Sequence, residues 1–202
     1  MNDLLVTAAS IVSSEELASA RMGPRFGRLD LCSQLAVLAV ERLALDFDSF
    51  SRDRVGICLS AYGGSLATDV EYWKGRDAVG GPSPTLFAYT LPSSAVGEIA
   101  IRHRLTGPNL CIFGTSESLL TEAGHLIRTG EAGGCLCVSC RVVTPEVAEL
   151  LRVPPIAQAC ALFVGGESLS PSARGLRLSH LEENARDIET VCALLSARNS
   201  SP

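Results

Sequence analysis

The stretch that decides the fold is GPNLCIFGTSESLLTEAGHLIRTG, residues 107–130. An apolar run at 110–113 passes through Gly114-Thr115-Ser116 into a segment whose apolar residues recur at helical spacing. The recurring residues are Leu119, Leu120, Ala123, Leu126 and Ile127. This order predicts a strand, a tight turn and a buried helix. Ser116 is therefore expected at the start of a helix.

A position at the start of a helix allows two roles for Ser116. The first turn offers unpaired N–H groups and the positive end of the helix dipole, which stabilise a developing oxyanion or an ester. Serine is also an ordinary N-cap residue. The run from Gly114 to Ser118, GTSES, lacks the second glycine of the GxSxG nucleophile motif. Residue spacing alone therefore favours Ser116 as a helix N-cap over Ser116 as a nucleophile.

The length predicts one domain or one and a half, and the composition predicts an excess of apolar surface. Hydrophobic residues make up 47% of the 202 residues and charged residues only 19%, which predicts a surface reserved for a partner. A net charge of −5 argues against nucleic acid or an anionic membrane as that partner. A local basic patch at Arg21, Arg25 and Arg28 could still receive an acidic carrier protein, although scattered, solvated arginines are the plainer interpretation.

The sequence also argues against secretion, a membrane span and a metal site. No apolar run approaches the ~20 residues of a spanning helix, and Met1-Asn2-Asp3 is not a basic leader. Most of the eight cysteines lie in apolar runs, as Cys58, Cys111, Cys135, Cys137 and Cys160 do, where Cys acts as a small hydrophobe. The spacing of residues 135, 137 and 140 matches no common zinc pattern. We therefore expect a cytoplasmic protein without metal or other cofactor.

The three histidines fit no metal spacing and give Ser116 no base. His103 lies between two arginines and is expected at the surface. His125 is nine residues past Ser116, hence about 13 Å away along the helix axis. Nucleotide-binding GxGxxG and Walker motifs are also missing from the sequence.

Strands alternate with helices along the chain. Apolar runs predict buried strands at 55–60, 135–140 and 157–164, and a short strand at 4–7 followed by a turn of small residues. Helical periodicity predicts helices at 30–45, 66–74, 95–105, 145–151 and 181–197. The Pro-rich stretch 80–94 is expected to be an irregular loop that lines a site or a contact. The alternation predicts a three-layer α/β/α domain around a mostly parallel sheet.

Four stretches resemble the N-terminal half of a β-ketoacyl-acyl-carrier-protein synthase, a condensing enzyme of the thiolase fold. They are RVGICLSAYGGSLATDVEYWKG (54–75), SPTLFAYTLPSSAVGEIAIRHRLTGPNL (83–110), the elbow with its helix ending in LIRTGEAGGCLCV (126–138), and ACALFV (159–164). They follow the order of the family's blocks and cover about two-thirds of the chain. The resemblance implies a mixed five-stranded sheet in a domain at 1–170, followed by an amphipathic helix and tail at 171–202. It also implies a subunit interface formed by edge strands and the loop around 83–94.

One departure from the family changes the expected chemistry. Residue by residue, Ser116 stands where the family's elbow carries the Cys that takes the acyl chain from carrier protein. A serine hydroxyl is almost wholly protonated at neutral pH and is a far poorer nucleophile than a thiolate. The family also needs two histidines of its C-terminal half, and His180 matches neither motif. Condensation by this chain alone is therefore not expected.

The resemblance and the departure together lead to three hypotheses. The first is a non-condensing, chain-length-factor-like subunit of fatty-acid, polyketide or aryl-polyene biosynthesis. It would pair with a full-length synthase or with a second copy, contact acyl carrier protein, and line an acyl tunnel with Phe87, Leu91 and Phe113. The second is a Ser116-dependent acyltransferase or esterase, which requires a base that the sequence does not show. The third is a diverged homodimer with a binding role. The helix at 181–197 could instead cover the sheet face left by the other half.

Overall fold

The computed structural model describes residues 4–20, 22–166, 176–178 and 187–199. Four features of the sequence analysis lie outside these ranges: Arg21, His180, the start of the helix expected at 181–197, and the domain boundary expected at residue 170. The described strands are β1 (Leu4–Ser13), β2 (Val55–Tyr62), β3 (Asn109–Phe113), β4 (Gly134–Val143), β5 (Ile156–Gly166) and β6 (Leu176–Arg177).

These strands form one mixed sheet in the order β3-β2-β4-β5-β1-β6. The predicted mixed sheet is confirmed, but it has six strands and not five, because Leu176–Arg177 adds a two-residue strand beside β1. The expectation of a mostly parallel sheet is wrong. Strand β2 pairs in parallel with β3 and β4, whereas β4–β5, β5–β1 and β1–β6 are antiparallel.

The expected turn after Thr7 is also wrong, since β1 continues to Ser13. Its small residues Ala8, Ala9 and Ser10 stay in the strand and pair with β5 after one irregularity in register. The Ser10 hydroxyl donates a hydrogen bond of 2.6 Å to the carbonyl oxygen of Ala39. Small side chains here let a helix approach the sheet closely, which explains a strand built from residues that resemble a turn.

The helices lie on both faces of the sheet, which confirms the three layers. Their bounds are α1 (Ser14–Leu17), α2 (Gly23–Phe26), α3 (Leu31–Arg42), α4 (Leu66–Lys74), α5 (Pro84–Phe87), α6 (Ser94–His103), α7 (Leu119–Arg128), α8 (Pro145–Leu151) and α9 (Ile188–Asn199). Helices α3 and α6 pack on one face of the sheet, and α7 and α9 pack on the other. The stretch 80–94 is less irregular than expected, because it contains α5 and the first residue of α6. Among the described helices, none is both long and apolar enough to cross a bilayer.

Helix α9 covers part of the sheet from within the chain. Its Ile188, Val191 and Cys192 are fully buried and pack in the same apolar cluster as Val6 and Leu162 of the sheet. This is the apolar stripe expected for the helix at 181–197, seen here from residue 188 onward. Burial of the Ile188 and Val191 side chains stabilises the fold by about 1.5–3 kcal/mol each.

The two arginines beside His103 suggested a position at the surface, but the structure largely buries this residue. Its side chain is only 13% exposed, and its ring centroid lies 4.6 Å from that of Phe47. Burial lowers the pKa of His103 below 6.5, and the charges of Arg102 and Arg52 lower it further, while Glu41 opposes them.

A His103→Gln variant tests this burial through the pH dependence of stability. The folded pKa lies below the unfolded value of about 6.5, so the unfolded chain binds more protons between the two values. The contribution of His103 is therefore complete above the unfolded pKa and is lost as the pH falls toward the folded pKa. We expect urea unfolding to show a smaller drop in stability for the variant between about pH 7.5 and about pH 5.5. An equal drop in both proteins would contradict the burial of a neutral imidazole.

Candidate functional site

The turn after β3 places Ser116 at the start of a helical segment, as predicted. Gly114 has φ of +118°, a left-handed conformation that L side chains rarely adopt. The chain then enters a 3-10 turn, Ser116–Ser118, which continues directly into α7. The result is a sharp elbow at the carboxyl ends of the parallel strands.

Ser116 is not the N-cap, so the capping interpretation is wrong. The residue before the turn is Thr115, and Ser116 is the first residue inside it. Its hydroxyl donates a hydrogen bond to Oε2 of Glu189, in the first turn of α9. The residue is only 3% exposed. The hydroxyl is therefore directed across the site toward a second helix.

Glu189 joins three elements through one carboxylate. Its Oε1 accepts a hydrogen bond of 2.5 Å from the hydroxyl of Ser139, a buried residue of β4. Asp187 fixes the start of α9, because its carboxylate accepts 2.8 Å hydrogen bonds from both the N–H and the hydroxyl of Thr190. Although burial acts to raise the pKa of Asp187, these hydrogen bonds hold it below its usual value.

A pocket of about 290 Å³ opens over this cluster. Its described lining consists of Tyr62, Gly114, Thr115, Ser116, Glu117, Ser139, Arg141, Asp187 and Glu189. The guanidinium of Arg141 lies 5.5 Å from the ring centroid of Tyr62, close enough for a cation–π contact. The pocket thus combines hydroxyls, three carboxylates and one guanidinium beside the elbow.

This architecture recurs in solved structures, of which three illustrate the likeness. The chain is similar to the ishigamide ketosynthase/chain length factor, with 20% sequence identity and a TM-score of 0.70 over 87% of this chain and 64% of that one. The AntDE:AntF complex of a type II PKS acyl-carrier protein with its ketosynthase has 16% sequence identity and a TM-score of 0.66. The match covers 87% of this chain and 65% of that one. The ketosynthase ApeO in complex with its chain length factor ApeC, from Xenorhabdus doucetiae, has 20% sequence identity and a TM-score of 0.62. The match covers 82% of this chain and 79% of that one. No protein-family model matches the sequence, and neither does any curated protein.

The chain has the ketosynthase fold. At sequence identities of 16–20%, the similarity to these structures shows a shared fold and nothing about function. The fold predicted from the four stretches is confirmed. The chain spans about two-thirds of the length of the first two solved chains.

In this ketosynthase fold, the three predicted tunnel residues lie at the surface and none lines the described pocket. Phe87 is 62% exposed, Leu91 63% and Phe113 70%. Phe113 is the last residue of β3, and a Cβ added at Gly64 would lie 3.1 Å from its ring and 3.6 Å from Pro92. An acyl-tunnel role for these residues stays a prediction. We call Phe87, Leu91 and Phe113 the edge patch.

Glu189, Ser139 and Arg141 are site residues that sequence reasoning missed. Glu189 lies 73 residues from Ser116 and 50 from Ser139, so no local spacing connects them. One signal was present: Ser139 is the single hydroxyl inside the cysteine-rich apolar run of β4. A buried hydroxyl requires a hydrogen-bond partner, and the search for one would have led to a polar group on a helix facing β4.

The cysteines of the fold are free thiols. All eight are unpaired, and burial raises the pKa of Cys137 well above its usual value. Across residues 4–20, 22–166, 176–178 and 187–199, no group of three or more His, Cys, Asp or Glu side chains could hold a metal ion.

Proposed function

We propose that this chain is a non-condensing, chain-length-factor-like subunit that pairs with an active ketosynthase in the cytoplasm. The observation that carries the proposal is the residue at the elbow of a ketosynthase fold, a serine whose hydroxyl is hydrogen-bonded to Glu189. A hydroxyl ionises far less readily than a thiol, so the elbow lacks the thiolate that condensation requires. The eight free thiols suit a reducing compartment.

No neighbouring cysteine replaces the missing thiolate. Cys111 is the nearest in sequence, but it lies inside β3 and does not line the pocket. Burial raises its pKa, and so does the nearby Cys32. A thiol in such surroundings remains protonated and unreactive. The elbow therefore supports an acyl-binding or structural role better than carbon–carbon bond formation.

The open edge of the sheet suggests where a synthase would dock. Within the described sheet, β3 is outermost and pairs only with β2, so the other side of its backbone is available to a partner. The edge patch lies at the end of this strand and on the adjoining stretch 83–94. Exposed aromatic and aliphatic side chains of this kind mark protein interfaces. We assign this surface to a full-length ketosynthase, and acyl carrier protein to the resulting complex.

Phe113→Asp tests the proposed partnership. We would co-express the chain with a candidate full-length ketosynthase and acyl carrier protein, isolate the complex by size exclusion and measure its affinity. Loss of a central aromatic contact should weaken binding by about 30-fold or more, since such contacts contribute roughly 2 kcal/mol or more. Leu194→Asp, on the partly exposed face of α9, is the control and should bind normally.

Two results would contradict the proposal. One is failure of the unaltered chain to form any complex with the synthase. The other is normal binding by Phe113→Asp, which would remove the edge patch from the interface. A dimer of the chain alone that excludes the synthase would instead favour the homodimer.

A further inference from the structure

The contact between Ser116 and Glu189 has the geometry of a nucleophile with its base. A serine is activated when a base accepts its proton and a third group orients that base. Here the Ser116 hydroxyl donates to one carboxylate oxygen of Glu189, and the Ser139 hydroxyl holds the other. The Glu189 carboxylate thus lies where a base for Ser116 would have to be, at a position that sequence reasoning did not find.

The helix start and Arg141 beside Ser116 favour a developing negative charge, whereas the pocket's three carboxylates oppose it. Ser116 begins the helical segment that continues through α7, and the N–H groups of a first helical turn stabilise an oxyanion. The pocket gives a ligand access to this point through Thr115, Tyr62 and Arg141. Its volume of about 290 Å³ equals roughly ten water molecules at ~30 Å³ each. That volume accommodates a short acyl group.

We propose that Ser116 accepts a short acyl group from an activated ester or thioester, with Glu189 as the general base. The Ser116 oxygen attacks the carbonyl carbon while its proton passes to the Glu189 carboxylate. The bond from the carbonyl carbon to the leaving oxygen or sulfur then breaks, the leaving group departs as an anion, and Glu189 returns the proton to it. The products are an acyl-serine ester, the free alcohol or thiol, and the regenerated carboxylate.

The chemistry of the base limits the substrate class. A carboxylate is a weak base toward an alcohol, so the leaving group must itself be stable as an anion, as a thiolate or a phenolate is. Ordinary alkyl esters and amides are therefore poor substrates. This activity forms no carbon–carbon bond and needs no partner, so it goes beyond the proposed subunit role and can succeed or fail independently of it.

Acetylation of the full chain by p-nitrophenyl acetate tests the inference. Release of p-nitrophenolate is followed by absorbance, and the site is found by intact mass and peptide mapping. We expect one acetyl group per chain, on Ser116, and none there in Ser116→Ala. Glu189→Gln should slow acetylation by about 100-fold or more, the usual contribution of a general base. Ser118→Ala, at an exposed serine two residues away, should react as the unaltered chain does.

Three outcomes would overturn the inference. They are acetylation only at other residues, an unchanged rate in a folded Glu189→Gln protein, and a rate in the unaltered chain that is the same in D2O as in H2O. The last measurement needs no variant and applies even if Glu189→Gln does not fold. Acetylation of Ser116 without any synthase complex would leave this inference intact and refute only the proposed partnership.

Discussion

Val191→Asp is expected to lower the free energy of unfolding by about 4 kcal/mol, enough to leave a large fraction of the chain unfolded. Val191 is fully buried where α9 packs on the sheet. The substitution removes an apolar side chain from that contact and places a carboxylate in a cluster of apolar residues and thiols. Urea unfolding followed by circular dichroism measures the change.

Leu194→Asp is the control that shows whether the loss of stability comes from the buried face of α9 or from introducing an Asp anywhere on that helix. Leu194 lies on the same helix but is 44% exposed, so its substitution should change stability by about 0.5–1 kcal/mol at most. Similar losses in the two variants would mean that α9 does not pack on the sheet through Val191. If neither variant lost stability, the helix would not contribute to the fold.

Gly107→Ala is expected to cost roughly 3 kcal/mol or more. A Cβ at this position would lie 2.3 Å from the carbonyl oxygen of Val55 and 2.7 Å from its carbonyl carbon. The backbone cannot easily shift to make room, because hydrogen bonds hold the segment on both sides of Gly107. These join Thr106 N to Arg52 O at 3.0 Å and Ile57 N to Pro108 O at 2.8 Å. Thermal and urea unfolding would both report the loss.

Gly97→Ala provides the matched control for Gly107→Ala. Gly97 lies within α6, and a Cβ there would meet nothing within 4 Å. Alanine favours a helix over glycine by about 0.5–1 kcal/mol, so this variant should be as stable as the unaltered chain or more so. Equal destabilisation by the two substitutions would contradict the close approach of Gly107 to β2.

Periodicity predicted most of the elements because each has a strong local signal. Helix α4 has the expected bounds, Leu66–Lys74, and so does α8, where Pro145 occupies the first helical turn. The elbow was also predicted, because an apolar run, a glycine and a helical repeat follow one another without a gap. The family resemblance added the mixed sheet, which periodicity alone described as mostly parallel.

The features that the sequence missed depend on contacts between distant residues. The second half of β1 resembled a turn until its pairing with β5 was known, and β6 is too short to have a pattern. The burial of His103 depends on Phe47, 56 positions earlier in the sequence. Glu189 had no visible role until α9 placed its carboxylate against two hydroxyls.

The carboxylate that Glu189 presents to the elbow also bears on any attempt to convert this chain into a condensing enzyme. A thiol introduced at position 116 would lie against the Glu189 carboxylate, and like charges disfavour ionisation. Ser116→Cys alone would therefore supply a sulfur atom without the thiolate that makes a cysteine reactive. The two positions form one electrostatic unit, and evolution or design would have to change them together.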